Sequence, residues 1–164
     1  MDALDVLYTR RCVRKFEDKP VSEEIIKNAA NAGRLAPTGN NVQPCKFVVI
    51  TDKKRLDELA KLTNPNGAHL LNAAGGIVVI AEPGKYYLED GSAATENILL
   101  ALWTQGVGSV WIAGDKKEYA NDVIKFVGGS NEKLVSIIAF GYPAEQPKPT
   151  KKELKQVLFF DKIK

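Results

Sequence analysis

Apolar residues recur along this chain with a period near 3.6 in some stretches and as short β-branched runs in others, and the two patterns alternate. A first helix is predicted over roughly 2–9, with Leu4 and Leu7 on one face. A second starts after Ser22, whose hydroxyl suits a helix cap, and Glu23 and Glu24 favour the positive end of its dipole. Ile25, Ile26, Ala29 and Ala30 form its apolar stripe, and Gly33 and Pro37 are expected to end it. The run KFVVIT at 46–51 reads as a buried strand. Asp52 then caps a helix that turns Leu56, Leu59 and Ala60 inward.

Asn64, Pro65, Asn66 and Gly67 have loop chemistry, and a short helix leads from them to a strand at 77–81. After the break at Glu82, Pro83 and Gly84, a helix over 89–105 is apolar nearly all round, which places it in a core or an interface. A short strand at 110–112, a surface helix at 116–126 and a buried strand at 134–140 follow. Gly141, Tyr142 and Pro143 turn the chain out into a Lys- and Pro-rich tail. That tail ends in Val157, Leu158, Phe159 and Phe160, which need an apolar partner in their own core or another subunit. The alternation predicts one α/β or α+β domain over 1–164, without internal repeats.

Composition narrows the chemistry. At 164 residues, 45% hydrophobic and 26% charged, the chain can build one ordinary core. A net charge of +3, from 23 basic and 20 acidic residues, argues against a dedicated nucleic-acid binder and suits a small anionic ligand. Cys12 and Cys45 form no CxxC pair, and two reduced thiols in a cytoplasmic protein is the expected state. A single histidine, His69, excludes HExxH and any intrachain metal site needing two histidines. The acidic start resembles no signal peptide, and the apolar stretch 98–103 is too short to span a bilayer.

Three segments have binding potential. Arg10, Arg11, Cys12, Val13, Arg14 and Lys15 form the densest cationic run, and guanidinium forks suit a phosphate; a solvated basic loop is the plainer reading. The segment APTGNNVQP at 36–44 packs hydroxyl and amide groups into one turn, as a heterocycle with imide edges requires, or is an ordinary loop. GVGSVWIAG at 106–114 lacks the third glycine and the strand-to-helix order of a dinucleotide fingerprint, but its glycines allow close backbone approach to a ligand. Glu89, Asp90 and Glu96 read as helix caps and surface charge. No nucleophile–base pair stands out, so an enzyme here would borrow its chemistry from a cofactor.

In order and spacing these segments resemble the nitroreductase family of FMN enzymes. RRCVR at 10–14 is similar to the family's RRSxR, APTGNNVQP to APSxxNxQPW, GVGSVWI at 106–112 to GLGSxWI, and FGYP at 140–143 to LGYP. The resemblance implies an α+β fold with a central, mostly antiparallel sheet flanked by helices, in an intertwined homodimer with two FMN molecules at the interface. It also implies that the tail 144–164 crosses to the partner subunit. Electrons would pass from NAD(P)H to a nitroaromatic, quinone or similar small acceptor by a ping-pong mechanism, with a specialised non-nitro substrate or a non-catalytic flavin sensor as alternatives.

Carried over by position, Arg10 and Arg14 would hold the phosphate and the pyrimidine edge, with Arg11 and Cys12 in the same motif. Pro37, Thr38 and Gly39 would approach from the partner chain, and Asn41 and Gln43 would bond the ring or ribityl. Asn66 and His69 would contact the ring. Trp111 and Ile112 lead to Ala113 and Gly114, whose backbone N–H groups would face flavin N5. Lys151 would replace a tail arginine on the phosphate. Arg14 or protonated His69 would stabilise negative charge on the reduced ring. Cys12 and Cys45 stand where the family has serine and tryptophan.

Overall fold

The structure, a computed structural model, describes residues 2–163. Five helices and four strands alternate: α1 (Ala3–Thr9), α2 (Glu23–Arg34), β1 (Cys45–Ile50), α3 (Lys53–Leu62), β2 (Gly75–Ala81), α4 (Tyr87–Thr104), β3 (Gly108–Ala113), α5 (Ala120–Phe126) and β4 (Lys133–Gly141). Short 3₁₀ turns occupy Gly39–Asn41, Asn66–Asn72 and Leu154–Gln156. The strands form one sheet in the order β1-β2-β4-β3, antiparallel throughout, which bears out the α+β expectation.

Strand alternation sorts the two inner strands into two cores. Ile77, Val79 and Ala81 join Ile138 and Phe140 on one face, and Ile26, Ala29, Ile98, Leu99 and Leu102 of α2 and α4 cover them. Val78 and Ile80 join Ile137 and Ala139 on the other, under Leu56, Leu59, Leu70, Val123 and Ile124. Each such side chain contributes about 1.5–3 kcal/mol relative to exposure, so the two inner strands with their helical covers hold the fold. The helix starts follow the sequence: Ser22 Oγ accepts from the N–H of Ile25, and Asp52 from that of Arg55.

Several expectations are corrected. β1 is a half-buried edge strand, with Val49 39% exposed, because only β2 pairs with it. α2 ends at Arg34, between Gly33 and Pro37 as expected, but Gly33 has a packing role as well: a Cβ there would sit 2.8 Å from Ile98 Cγ1, so this glycine permits close approach to α4. On α1, Val6 is buried, while Leu4 and Leu7 are 57% and 55% exposed. α5 starts only at Ala120, since Lys116 at φ 60° breaks the predicted helix. Among the described residues, no helix is long and apolar enough to cross a membrane.

β3 is the sheet's other edge, and the chain after α1 covers part of it. Cys12 bridges Ser109, and the N–H of Val13 donates to the Ser109 carbonyl at 2.9 Å. Farther along, Phe16 bridges Pro143 and the N–H of Glu17 donates to the Tyr142 carbonyl at 2.9 Å. This arm, residues 10–17, is thereby fixed between the start of β3 and the exit of β4.

Candidate functional site

The arm presents its three arginines differently. Arg10 is fixed by Glu96 of α4, with Nε 3.3 Å from Oε1, and one terminal nitrogen lies 3.9 Å from Cys12 Sγ. The fork's terminal nitrogens thus face a soft sulfur contact, leaving most of their donor capacity for an anion. Arg11 turns back instead, donating to the carbonyls of Tyr8 at 2.8 Å and Arg10 at 2.7 Å, where it closes the end of α1. Arg14 is exposed, and its charge is felt at His69.

The far end of β3 is held by Tyr119, which sequence reasoning missed, together with Asn66, which it named. The Tyr119 hydroxyl donates to the Ala113 carbonyl, and the Asn66 side chain donates to Tyr119. Asn66, on the 3₁₀ turn, and Ala113, exposed at the strand's end, therefore meet through one phenol. Gly114 has no room for a side chain, since a Cβ would lie 2.8 Å from the Val135 carbonyl carbon and oxygen. Asp115, next in line, accepts the Tyr87 hydroxyl on Oδ1 at 2.5 Å, while its buried Oδ2 has no partner. Trp111 packs toward the α2–α4 face and Ile112, 3% exposed, toward the other, so these two are built into the cores.

The loop 36–44 is shaped by an unusual backbone. Asn40, Asn41 and Gln43 all take positive φ, at 52°, 56° and 51°, a region asparagine tolerates better than most side chains. The N–H of Gln43 donates to Thr38 Oγ1 at 3.1 Å, and that of Gly39 to Asp90 Oδ1 at 2.9 Å. Asp90 is 5% exposed, so its reading as a surface charge is corrected: it is a buried anchor. It also adds to the burial that pushes the Cys45 thiol up to about 11, which keeps that sulfur protonated and unreactive. Among the described residues, no hydrogen bond or ion pair joins this loop to the arm. Lys151, in the tail, is exposed.

His69, on the 3₁₀ turn, is corrected as a candidate cation. Partial burial and the Arg14 charge hold its pKa below the ordinary value of 6.5, with Glu145 opposing weakly. It is neutral near pH 7, and Arg14 is left as the fixed positive charge there. Because the folded pKa is depressed, the unfolded chain takes up this proton first. The stability His69 contributes is complete above pH 6.5 and is lost as pH falls through the folded value. Between pH 7 and 5, the urea midpoint of the wild type should therefore fall more than that of His69→Gln; equal falls would remove His69 from the acid response.

A groove of about 1100 Å³ runs between Trp103 and the start of the tail at Pro143 and Glu145. Of the candidate residues only Arg11 lines it.

The Nitroreductase family model matches residues 7–81 and 70–142 of the chain. A relative from Archaeoglobus fulgidus, named "Putative NADH dehydrogenase/NAD(P)H nitroreductase", is 37% identical over 153 residues, spanning 88% of this chain and 87% of its own length. A crystal structure of a protein of the same name from Bacteroides thetaiotaomicron superposes with a TM-score of 0.92 at 34% identity, over 98% of each chain. A Desulfovibrio desulfuricans crystal structure, described as a "putative nitroreductase in complex with fmn", gives 0.84 at 27% identity, over 100% of this chain and 99% of that one.

Proposed function

Because this chain belongs to the nitroreductase family, we propose that it is an FMN-dependent oxidoreductase passing electrons from NAD(P)H to a nitroaromatic, quinone or similar small acceptor. The names of the relatives and the FMN complex of a similar structure support the donor and the cofactor. The observation that carries the reading is the edge of β3. Donor-rich Arg10 lies beside its start and the exposed Ala113 at its end, with four residue steps, or ~13 Å, from Ser109 to Ala113. A phosphate at one end and a polar ring toward the other match that donor set.

When bound, FMN supplies the two-electron carrier. The chain's own residues bind and orient it. Arg10 takes the phosphate, and Arg14 the pyrimidine edge, where its permanent charge favours an anionic ring. Asn66 and His69 meet the ring, and the backbone of Ala113 and Gly114 offers N–H donors held in place by Tyr119. Lys151 adds a point charge near the phosphate from the tail.

The site is completed by a second copy, in a homodimer with two equivalent sites. Pro37, Thr38, Gly39, Asn41 and Gln43 would come from the partner, which agrees with the lack of bonds between loop and arm in one chain. Exposed Leu4, Tyr8, Leu154, Phe160 and Ile163 would find cover in the same interface. Sedimentation at low concentration should show a dimer, and a folded FMN-bound monomer would overturn it. We place the protein in the cytoplasm, in keeping with two free cysteines.

Donor and acceptor then use one pocket in turn. Anaerobic NADH or NADPH should bleach the yellow protein, and initial rates at several acceptor concentrations should give parallel double-reciprocal lines. Intersecting lines would require a ternary complex and a second site.

A further inference from the structure

The carboxylate of Glu145 lies against the arm that carries the arginines. Its Oε1 accepts the N–H of Arg14 at 2.6 Å and that of Lys15 at 3.1 Å. The N–H of Ala144 donates to the Lys15 carbonyl at 3.0 Å, so the backbone of this stretch holds Lys15 while its side chain holds both residues. On the arm's other side, the Val13 N–H bonds to Ser109. Without Glu145, the amides of Arg14 and Lys15 lose their partner, and this part of the arm keeps the Ser109 bond on one side and the Ala144–Lys15 bond on the other.

This carboxylate is unexpected on electrostatic grounds. It stands among Arg14, Lys15 and His69, close to where an anionic ligand is to bind. A negative charge there repels a phosphate through space. The amides of Arg14 and Lys15 and both cations hold its pKa below the ordinary carboxylate range, so it stays ionised at neutral pH.

We propose that Glu145 is a positioning residue for the flavin, which it serves by fixing the backbone on which Arg14 and, farther along the arm, Arg10 are presented. The inference rests on the FMN reading above. It requires that geometry outweigh charge, and the two have opposite signs. Removing Glu145 adds one positive charge to the arm, which by itself tightens an anion; loss of the anchored backbone weakens it.

The test titrates FMN and riboflavin into flavin-free wild type, Glu145→Ala and Glu145→Gln. Amide hydrogen exchange of Arg14 and Lys15 is followed in the same proteins. Glu145→Ala should weaken FMN about tenfold, as for one lost charge-assisted bond network, and riboflavin as well, since Arg14 serves the ring edge that both flavins share. The Arg14 and Lys15 amides should exchange about tenfold faster. Glu145→Gln keeps an acceptor oxygen and should recover most of the affinity. Glu145→Ala binding FMN as well as or better than wild type, or unchanged amide protection, would overturn the assignment. Should Glu145→Ala not fold, Glu145→Gln decides. Affinity at or below wild type keeps the role, and affinity several-fold tighter removes it. Wild type that binds no FMN would count against the FMN reading itself, a result distinct from all of these.

Discussion

Replacing Arg10 by alanine should weaken FMN binding about ten- to a hundredfold while leaving riboflavin nearly unchanged. A charge-assisted hydrogen bond contributes roughly 1.5–3 kcal/mol, and each ~1.4 kcal/mol is a factor of ten in affinity. Riboflavin lacks the phosphate, so it reports any damage to the ring site alone. Arg10 is a clean place for the change. Its pair with Glu96 is partly exposed, the side chains being 21% and 44% accessible, and pairs of that kind contribute about 0–1 kcal/mol to stability. Arg11→Ala is the control within the same motif. Its guanidinium bonds the carbonyls of Tyr8 and Arg10, so its loss should fray the end of α1 and affect both flavins alike. Titrating both flavins against the three proteins settles the matter. Equal weakening of FMN and riboflavin by Arg10→Ala would move the phosphate to Arg14 or Lys151.

What could be read from the sequence was whatever has a local cause. Ser22 and Asp52 cap helices because their side chains bond N–H groups three residues on, and that relation is written in the order of residues. The inner strands are legible because both faces are covered, which demands apolar runs such as 77–81 and 134–140. Long-range partners have no such signature. The N–H of Arg14 meets a carboxylate 131 positions away, and Gly39 meets Asp90 across 51. Tyr119 sits in a stretch that reads as a plain surface helix, yet its hydroxyl meets Ala113. Gly33 carries the same lesson: the residue type signals a special backbone position, and only packing tells whether it is a helix end or a close approach to Ile98. The candidate residues were found by motif order, while the groups that hold them in place were not.

Gly108→Ala tests that support directly, and it should both destabilise the protein and loosen the cofactor. A Cβ on Gly108 would lie 2.8 Å from Val13 Cβ and Cγ2. Val13 is fully buried, and its N–H bonds to Ser109, so it cannot retreat without taking the arm along. Overpacking of this kind costs about 1–3 kcal/mol, and the displaced arm should bind FMN roughly tenfold more weakly. Val13→Ala alone opens a cavity in the same place and should cost roughly 2 kcal/mol. Combining the two removes the contacts with the valine Cγ atoms, while the alanine keeps the 2.8 Å contact at Cβ, so the strain is relieved in part. The double variant should therefore be more stable than the sum of the singles by about 0.5–3 kcal/mol, the range for residues in contact. Its FMN affinity should recover in part, because the arm can settle closer to Ser109 than in Gly108→Ala. Urea unfolding of the four proteins measures the coupling, and FMN titration of the same four measures the arm. Strictly additive energies would mean that Val13 does not transmit the strain. Recovered stability with FMN still weak would mean that the start of β3 holds the arm without setting the geometry of Arg10.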